Sequence, residues 1–397
     1  MRLLSLMPKD LVKELRKVGV SEEAIPIFLE KASFFALKLE NLSQAAGNIL
    51  KQVALACGQD CAIHKKVISG RKKISDAILF TNKRQLKMIV EKLSYQGDFL
   101  KKVKEQLTTF LEGKNDWLLN FRNVTYNLKE RPLIMGILNL TPDSFYDGGK
   151  FKNKKEAIAE AVKMEEEGAD IIDIGGESTR PGSEPVSWKE ELKRVMPVLK
   201  EVRKKIKIPI SIDTYKSEVA KEALEEGAEI VNDISGLSFD KRMAEIVSRY
   251  NAYCVIMHIK GRPKTMQKRV YYRDVIKEIY DYLKEKIAYA EKMGIKREKI
   301  IIDPGIGFGK KLEHNIEIIR RLGEFKTLNL PILVGHSRKS FIGEILSLPP
   351  EERLIGSLAV AVISLLNGAH ILRVHDVKAT KQVVEIFCAI MKDANNF

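Results

Sequence analysis

Residues 126–397 predict an α/β fold, a parallel (β/α)8 TIM barrel, and residues 1–125 a small α/β or mostly helical domain before it. Three observations predict the barrel. From Leu133 onward eight short runs recur that are apolar on both faces. A charged, amphipathic stretch separates each run from the next. Nearly every run also ends in polar or glycine residues, always at its C-terminal end. Strands apolar on both faces and alternating with helices form parallel sheets with helical crossovers. Eight such units in about 265 residues match the size of a closed barrel. An open doubly wound sheet would concentrate these signals in one glycine-rich phosphate loop.

The runs are Leu133–Leu138, Asp170–Ile174, Ile208–Ile212, Ile230–Val231, Tyr253–Met257, Ile300–Ile302, Pro331–Val334 and His370–Val374. The stretches between them read as helices, for example Lys154–Glu167 and Trp188–Lys204. The first 125 residues lack this rhythm. Asp10–Val18 and Ser21–Glu40 read as helices, as do Leu42–Cys57 and Asn82–Leu93, with a strand at Asp76–Phe80. One cluster there, Cys57, Cys61 and His64, has soft metal ligands. A structural zinc site takes four ligands, and no fourth lies nearby in the sequence.

The bulk composition bounds the function. The chain of 397 residues is 45% hydrophobic and 30% charged, as in soluble globular proteins. Its net charge of +15 is unevenly spread. Up to Thr125 there are 22 Lys and Arg against 13 Asp and Glu, an excess of +9; beyond it the counts are 46 and 40, an excess of +6. A basic field favours anionic ligands, although a solvated Lys/Glu-rich surface gives the same count. A nucleic-acid binder would cluster basic residues with exposed aromatics, and the barrel's aromatics are not so arranged. Four scattered cysteines suit a reducing compartment, hence a cytoplasmic protein. Leu354–Leu372 carries no charge over 19 residues, yet it holds polar residues and an Asn367–Gly368 stop. It reads as a buried helix followed by a buried strand, and no membrane association is expected.

In a barrel of this kind the site lies at the C-terminal ends of the strands. There the sequence places Asn139 on strand 1, Asp173 on strand 2, Asp213 on strand 3 and Asn232 with Asp233 on strand 4. Strand 5 ends in Met257 and His258, strand 6 in Asp303, strand 7 in Ser337, Arg338 and Lys339, and strand 8 in Arg373 and His375. Any one of these could be a helix cap, Asp213 or Ser337 above all. Eight at one end converge on one mouth. Asp213, Asn232 and Asp303 suit a flat heterocycle bearing adjacent N–H donors. Lys339, Arg373 and His375, with the N-terminus of the helix after strand 7, suit a phosphate or diphosphate. Ser337 lies beside Lys339 without an oriented base, so covalent catalysis is not expected. GIGFG at 305–309 lacks a full dinucleotide fingerprint and reads as a loop shaping the pocket.

The segments MGILNLTPDSFYDGG, GADIIDIGGESTRPGSEPVS, SIDTYK, VNDISG, MHIKGRPKTMQ, DPGIGFGK, GHSRKSFIG and RVHDV resemble, in order and spacing, the signatures of the dihydropteroate synthase family. The resemblance covers about Arg131–Met391. It implies a transferase of folate biosynthesis that joins 6-hydroxymethyl-7,8-dihydropterin diphosphate to 4-aminobenzoate, with sulfonamides competing for the second site. Carried over residue by residue, it implies that Asp213, Asn232 and Asp303 hold the pterin edge and Lys339 its carbonyl side. Met257, Phe308 and Gly335 become pocket walls. Asn139 is implied in Mg2+ and diphosphate binding, and Arg373 and His375 in diphosphate binding. Thr179, Arg180 and Pro181 fall on the second loop, Thr141 and Pro142 on the first, and Ser340 near the aminobenzoate carboxylate. Asp143 or Asp147 approaches the metal or pairs with Arg180. A homodimer through the late barrel helices is the family expectation. Within the same barrel type, a pterin-binding methyltransferase is the rival reading, and it has no diphosphate to hold.

Overall fold

The structure, a computed structural model, describes residues 4, 7–113, 117–141 and 154–391. They fold as two compact units that part between residues 113 and 117.

The second unit is a parallel eight-stranded barrel. Its strands are β6 (Leu133–Asn139), β7 (Ile171–Gly175), β8 (Ile210–Asp213), β9 (Ile230–Asp233), β10 (Tyr253–Met257), β11 (Ile300–Asp303), β12 (Leu333–Val334) and β13 (Ile371–Val374). They hydrogen-bond in the order β11-β10-β9-β8-β7-β6-β13-β12, and an Ile302–Ile332 bridge joins the two ends. All eight expected runs are present as strands. Helices connect them, and Trp188–Lys205 begins under a Ser187 cap whose hydroxyl accepts from the Glu190 N–H at 3.2 Å.

Side chains along a strand alternate between its two faces, and that alternation builds both ends of the barrel interior. Leu133, Ile171, Ile230, Val255, Ile301, Leu333 and Ile371 form a buried apolar layer low in the barrel. A short antiparallel hairpin, β4 (Leu118–Asn120) with β5 (Thr125–Asn127), closes this lower end. It adds Leu119, Phe121 and Leu128 to the layer. Phe121 lies 4.8 Å from the Tyr253 ring, and the Tyr253 hydroxyl accepts from the Asn120 N–H at 2.7 Å. Two residues further along the same strands, on the same face, come Asp173, Asn232, Met257, Asp303, Gly335 and Arg373.

The first unit is a three-stranded antiparallel sheet in the order β1 (Phe34–Ser43), β3 (Ile74–Asn82), β2 (Asp60–Ile63). Helices Gln44–Ala56, Lys83–Leu93 and Lys101–Leu111 supply Leu50, Leu86, Ile89, Val103 and Leu107 to a core against one face of it. Here one expectation fails. The helix expected over Ser21–Glu40 stops at Ala32, and Phe34–Ser43 is a strand. The physical reason is a change of period: Leu37 and Leu39 turn to the core while Ala36 and Lys38 face out. Ser43 then caps the next helix, its hydroxyl accepting from the Ala46 N–H at 3.2 Å. Cys57, Cys61 and His64 do not form a ligand set. Both cysteines are buried, burial pushes the Cys61 thiol up to about 11, and exposed His64 caps a short helix through the Lys66 N–H. Among the described residues no group of three or more His, Cys, Asp or Glu is arranged to hold a metal.

The uncharged run also departs from expectation in part. Its strand β13 is buried, but the helix Leu354–Leu366 is not: Ile355 is 80% exposed and Leu366 55%. One face of that helix packs on the barrel and the other faces outward. No helix among the described residues is long and apolar enough to cross a membrane.

Candidate active site

The mouth is organised around one guanidinium. Arg373 Nε donates to Asp173 Oδ2 at 2.6 Å, and Nη2 donates to Asp213 Oδ2 at 2.5 Å. Asn232 Nδ2 donates to the same Asp173 oxygen at 3.0 Å. The register explains the meeting. Asp213 pairs with Asn232 across β8–β9, and Asp173 sits two residues below Gly175, the neighbour of Asp213 across β7–β8, so the three side chains rise from consecutive strands on the inner face. Asp213 therefore does not cap a helix. The following helix starts at Ser217, whose N–H is met by Asp240 at 2.9 Å. Ser337 is likewise committed elsewhere. Its hydroxyl accepts from the His375 N–H at 3.2 Å and lies 3.0 Å from Nδ1. If that hydroxyl donates to Nδ1, the ring proton sits on Nε2, a donor suited to an anion.

Across the mouth, Asp303 ends β11 and accepts from the Gly305 N–H at 2.7 Å. Lys339 Nζ lies 4.1 Å from the Phe308 ring centroid. Met257, Phe308, Ile234, Ile259 and Met266 form one apolar cluster, with Tyr215 and Phe239 against it. The mouth thus has a flat apolar wall beside acceptors. Gly335 begins the turn after β12, and Ser340 is the exposed first residue of helix Ser340–Leu346.

Burial sets the electrostatics. Removal from water pushes the Asp213 carboxyl up to about 7; Arg373 opposes this and Asp173 adds to it. Burial pushes Asp303 up to about 6 against the Gly305 hydrogen bond. Burial, with help from Arg373, brings Lys339 down to about 8, while Asp303 and Asp213 resist. For Arg373 burial works against the charge, but Asp173 and Asp213 outweigh it and hold the guanidinium above its ordinary value. Three carboxylates facing two cations leave a site able to accept N–H donors and to stabilise positive charge.

Asp213, Asn232, Asp303, Lys339 and Arg373 are thus brought to one mouth, with Met257 and Phe308 as walls. Asn139 ends β6 at the same side. Thr141 is buried beside it, whereas Thr179 is half-buried and Arg180 and Pro181 are exposed on the loop after β7. Pro142, Asp143 and Asp147 lie outside the described residues. The residue whose part the sequence did not reveal is Asp173, fully buried and bonded to both Arg373 and Asn232. Its place two residues above Ile171 was the available signal. A second such group is Glu177. It accepts from the Tyr215 hydroxyl at 2.5 Å, from the Val186 N–H at 3.1 Å and from Lys216, which also bonds Glu191. It holds both ends of the loop bearing Thr179, and no sequence spacing announced it.

The described mouth offers a neutral amide at Asn139 and no cage of carboxylates. That fits a cation carried in by an anionic ligand better than one held by protein alone, since Mg2+ keeps several non-protein ligands.

Known proteins resemble this chain in sequence and fold. The family model for pterin binding enzymes matches residues 135–375. A dihydropteroate synthase of Synechocystis is 48% identical over 264 residues, 66% of this chain and 91% of its own length. A bifunctional dihydropteroate synthase/dihydropteroate reductase of Helicobacter pylori is 34% identical over 385 residues, 96% of this chain and 97% of its own. Among solved structures, the Yersinia pestis dihydropteroate synthase with a sulfonamide drug complex superposes with a TM-score of 0.67 at 43% identity, covering 69% of this chain and 99% of that one. The Xanthomonas albilineans enzyme with 4-aminobenzoic acid gives 0.65 at 38%, covering 70% and 99%. The Clostridium difficile enzyme in the presence of pteroic acid gives 0.62 at 49%, covering 66% and 97%.

Proposed function

The chain belongs to the dihydropteroate synthase family of pterin-binding enzymes, and on that premise we propose how its own residues carry the reaction. It is a transferase of folate biosynthesis that condenses 6-hydroxymethyl-7,8-dihydropterin diphosphate with 4-aminobenzoate, giving 7,8-dihydropteroate and diphosphate.

In this reading Asp213, Asn232 and Asp303 take the N–H edge of the pterin, and the ring lies against Met257, Phe308 and Gly335. Lys339 reaches the carbonyl side. Arg373 and His375 hold the diphosphate, with Asn139 beside them. Thr141, Pro142, Thr179, Arg180, Pro181 and Ser340 form the 4-aminobenzoate side. An aromatic amine is a weak nucleophile, so the gain lies in activating the electrophile. The C–O bond breaks first and its electron pair leaves on diphosphate. Asp213 faces the pterin-stabilised cation, whose charge its carboxylate offsets. The amine nitrogen then forms the C–N bond and loses its proton to solvent or to the departing diphosphate, so no general base is required. A bound Mg2+, held by Asn139, would offset charge on the leaving group.

The observation that carries the reading is the buried Arg373, Asp173, Asp213 and Asn232 cluster at the strand ends. Its test is diphosphate release from the pterin substrate with and without 4-aminobenzoate. With the amine present, dihydropteroate and diphosphate form in equal amounts; no dihydropteroate from the two substrates together sinks the assignment.

The outward apolar face of helix Leu354–Leu366, with Ile355, Ile363 and Leu366, supports a homodimer in a cytoplasmic enzyme. Sedimentation of wild type against Ile355→Glu reads this directly. The Helicobacter pylori relative spans both units of this chain, which supports a second activity, reduction of dihydropteroate. Hydride would add at C6 of the N5=C6 bond and a proton at N5, with a reduced nicotinamide or flavin as donor. Donor oxidation that requires dihydropteroate, and that is lost in a chain starting at Trp117, is the expected result. No oxidation with any donor overturns it.

A further inference from the structure

We infer that Lys310 is a positioning residue for the pterin half of the reaction, fastening the end of β10 to the loop between Asp303 and Lys310 and so fixing the wall on which the pterin lies. The inference rests on the pterin-pocket assignment above.

Lys310 is 3% exposed and takes no part in the chemistry just described. Its Nζ lies 3.0 Å from His258 Nδ1, 3.3 Å from the His258 carbonyl and 3.0 Å from the Phe308 carbonyl. Burial brings the Lys310 amine down to about 7 while Asp303 resists, and three acceptors face the N–H groups of its charged form. Burial pushes the His258 ring well below its ordinary range, so it stays neutral and Nδ1 can accept. A buried amine that binds nothing else is costly unless its hydrogen bonds secure something. Here they join two elements of the mouth. His258 directly follows Met257, and its N–H donates to the Asp303 carbonyl at 2.9 Å. Phe308 is the wall residue under Lys339.

The loop is built for close approach to the same point. Gly305 has φ +72, and a Cβ there would lie 2.0 Å from the His258 carbonyl. Gly309 has φ +61, and its Cβ would lie 2.5 Å from the Lys260 carbonyl. On the far side, Gly307 sits against the Lys339 chain, and its carbonyl accepts from Gln267 Nε2 at 3.0 Å. Lys310 thus pins the loop at the end opposite Asp303. Releasing it frees Phe308 and the rest position of Lys339; among the described residues Lys310 itself bonds only His258 and Phe308, whereas the loop that bears Thr179 and Arg180 meets the segment after β10 further on, where the Gly182 N–H donates to the Pro263 carbonyl at 3.1 Å and Lys264 pairs with Glu184.

The test uses the full chain. Lys310→Met removes the three bonds at similar volume. KM for the pterin diphosphate should rise about 10-fold, the scale of a lost buried hydrogen bond. KM for 4-aminobenzoate at saturating pterin substrate should stay within about twofold. His258→Phe removes the ring acceptor and should raise the pterin KM in the same direction. His258→Asn keeps an acceptor at that position and should stay near wild type. Thermal unfolding checks each variant, and if Lys310→Met does not fold, the two His258 variants decide. An unchanged pterin KM in folded Lys310→Met, or equal rises in both KM values, overturns the inference. Asp303→Asn separates the two layers. If it raises the pterin KM and Lys310→Met does not, only this inference fails. If Asp303→Asn changes nothing, the pocket assignment fails.

Discussion

Asp170 and Asp173 are buried carboxylates three residues apart, each bound to an arginine, and they do opposite work. Asp170 lies at the lower end of the barrel. It receives Arg131 through two bonds of 2.8 and 2.6 Å, and the Ile134 N–H at 2.9 Å. Asp173 lies at the mouth and receives Arg373 and Asn232. The first pair ties the chain entering β6 to the start of β7. The second aligns a guanidinium and an amide at the mouth, and among the described residues its other oxygen, Oδ1, is buried without a hydrogen-bond partner. Residue type is the same; the strand end decides. A paired carboxylate below the apolar layer stabilises, whereas one above it also sets the charge of a site.

The comparison is easiest to break at the mouth. Asp213→Asn should slow diphosphate release at saturating pterin substrate by about 10²–10³-fold, the usual scale for removing one charge-stabilising group. Unchanged release would leave Asp213 without its role. Asp173→Asn should lower kcat/KM about 10-fold or more through misaligned Arg373 and Asn232, with a modest change in unfolding temperature. Asp170→Asn should invert that pattern: about 1–3 kcal/mol lost in urea unfolding and kcat/KM within twofold. If both variants lose activity equally, the distinction between the two ends fails.

The lower layer offers a second contrast. Phe121→Ala should cost about 3 kcal/mol of stability by opening a cavity under the barrel, with kcat unchanged. Chemical denaturation and steady-state rates on one preparation measure both.

The pH profile sharpens the same point with a smaller effect. On the proposed roles the free enzyme works with Asp213 ionised and Lys339 protonated. The kcat/KM for the pterin substrate should therefore fall below about pH 7 and above about pH 8. Asp213→Asn should abolish the acid limb. Stability moves the other way. The folded Asp213 carboxyl holds its proton more tightly than the unfolded one, so between its ordinary value of 3.8 and about 7 the native state binds more protons and stability falls as pH rises. Activity and stability with opposite slopes in that window mark a carboxylate buried for function.

Much of this was legible in the chain alone. Runs such as Tyr253–Met257 are apolar at every position, and only a strand covered on both faces needs that. Asp213, Asn232, Asp303, Lys339 and Arg373 were legible because each follows an apolar run at the same end. The strand Phe34–Ser43 was not, because Phe35, Leu39 and Leu42 also satisfy a helical spacing and only pairing with β3 selects the strand. The exposed face of Leu354–Leu366 was hidden because an uncharged helix carries no mark of which side meets the sheet. Period, polarity and strand ends are local properties, so the barrel, its mouth and its chemical class follow from the order of residues alone. Asp173 against Asp170, the Glu177 clamp and the Lys310 cage depend on which distant groups share one low-dielectric space, as Asp173 does with Arg373 200 residues away. That choice is made by register and closure, and only the tertiary structure contains it.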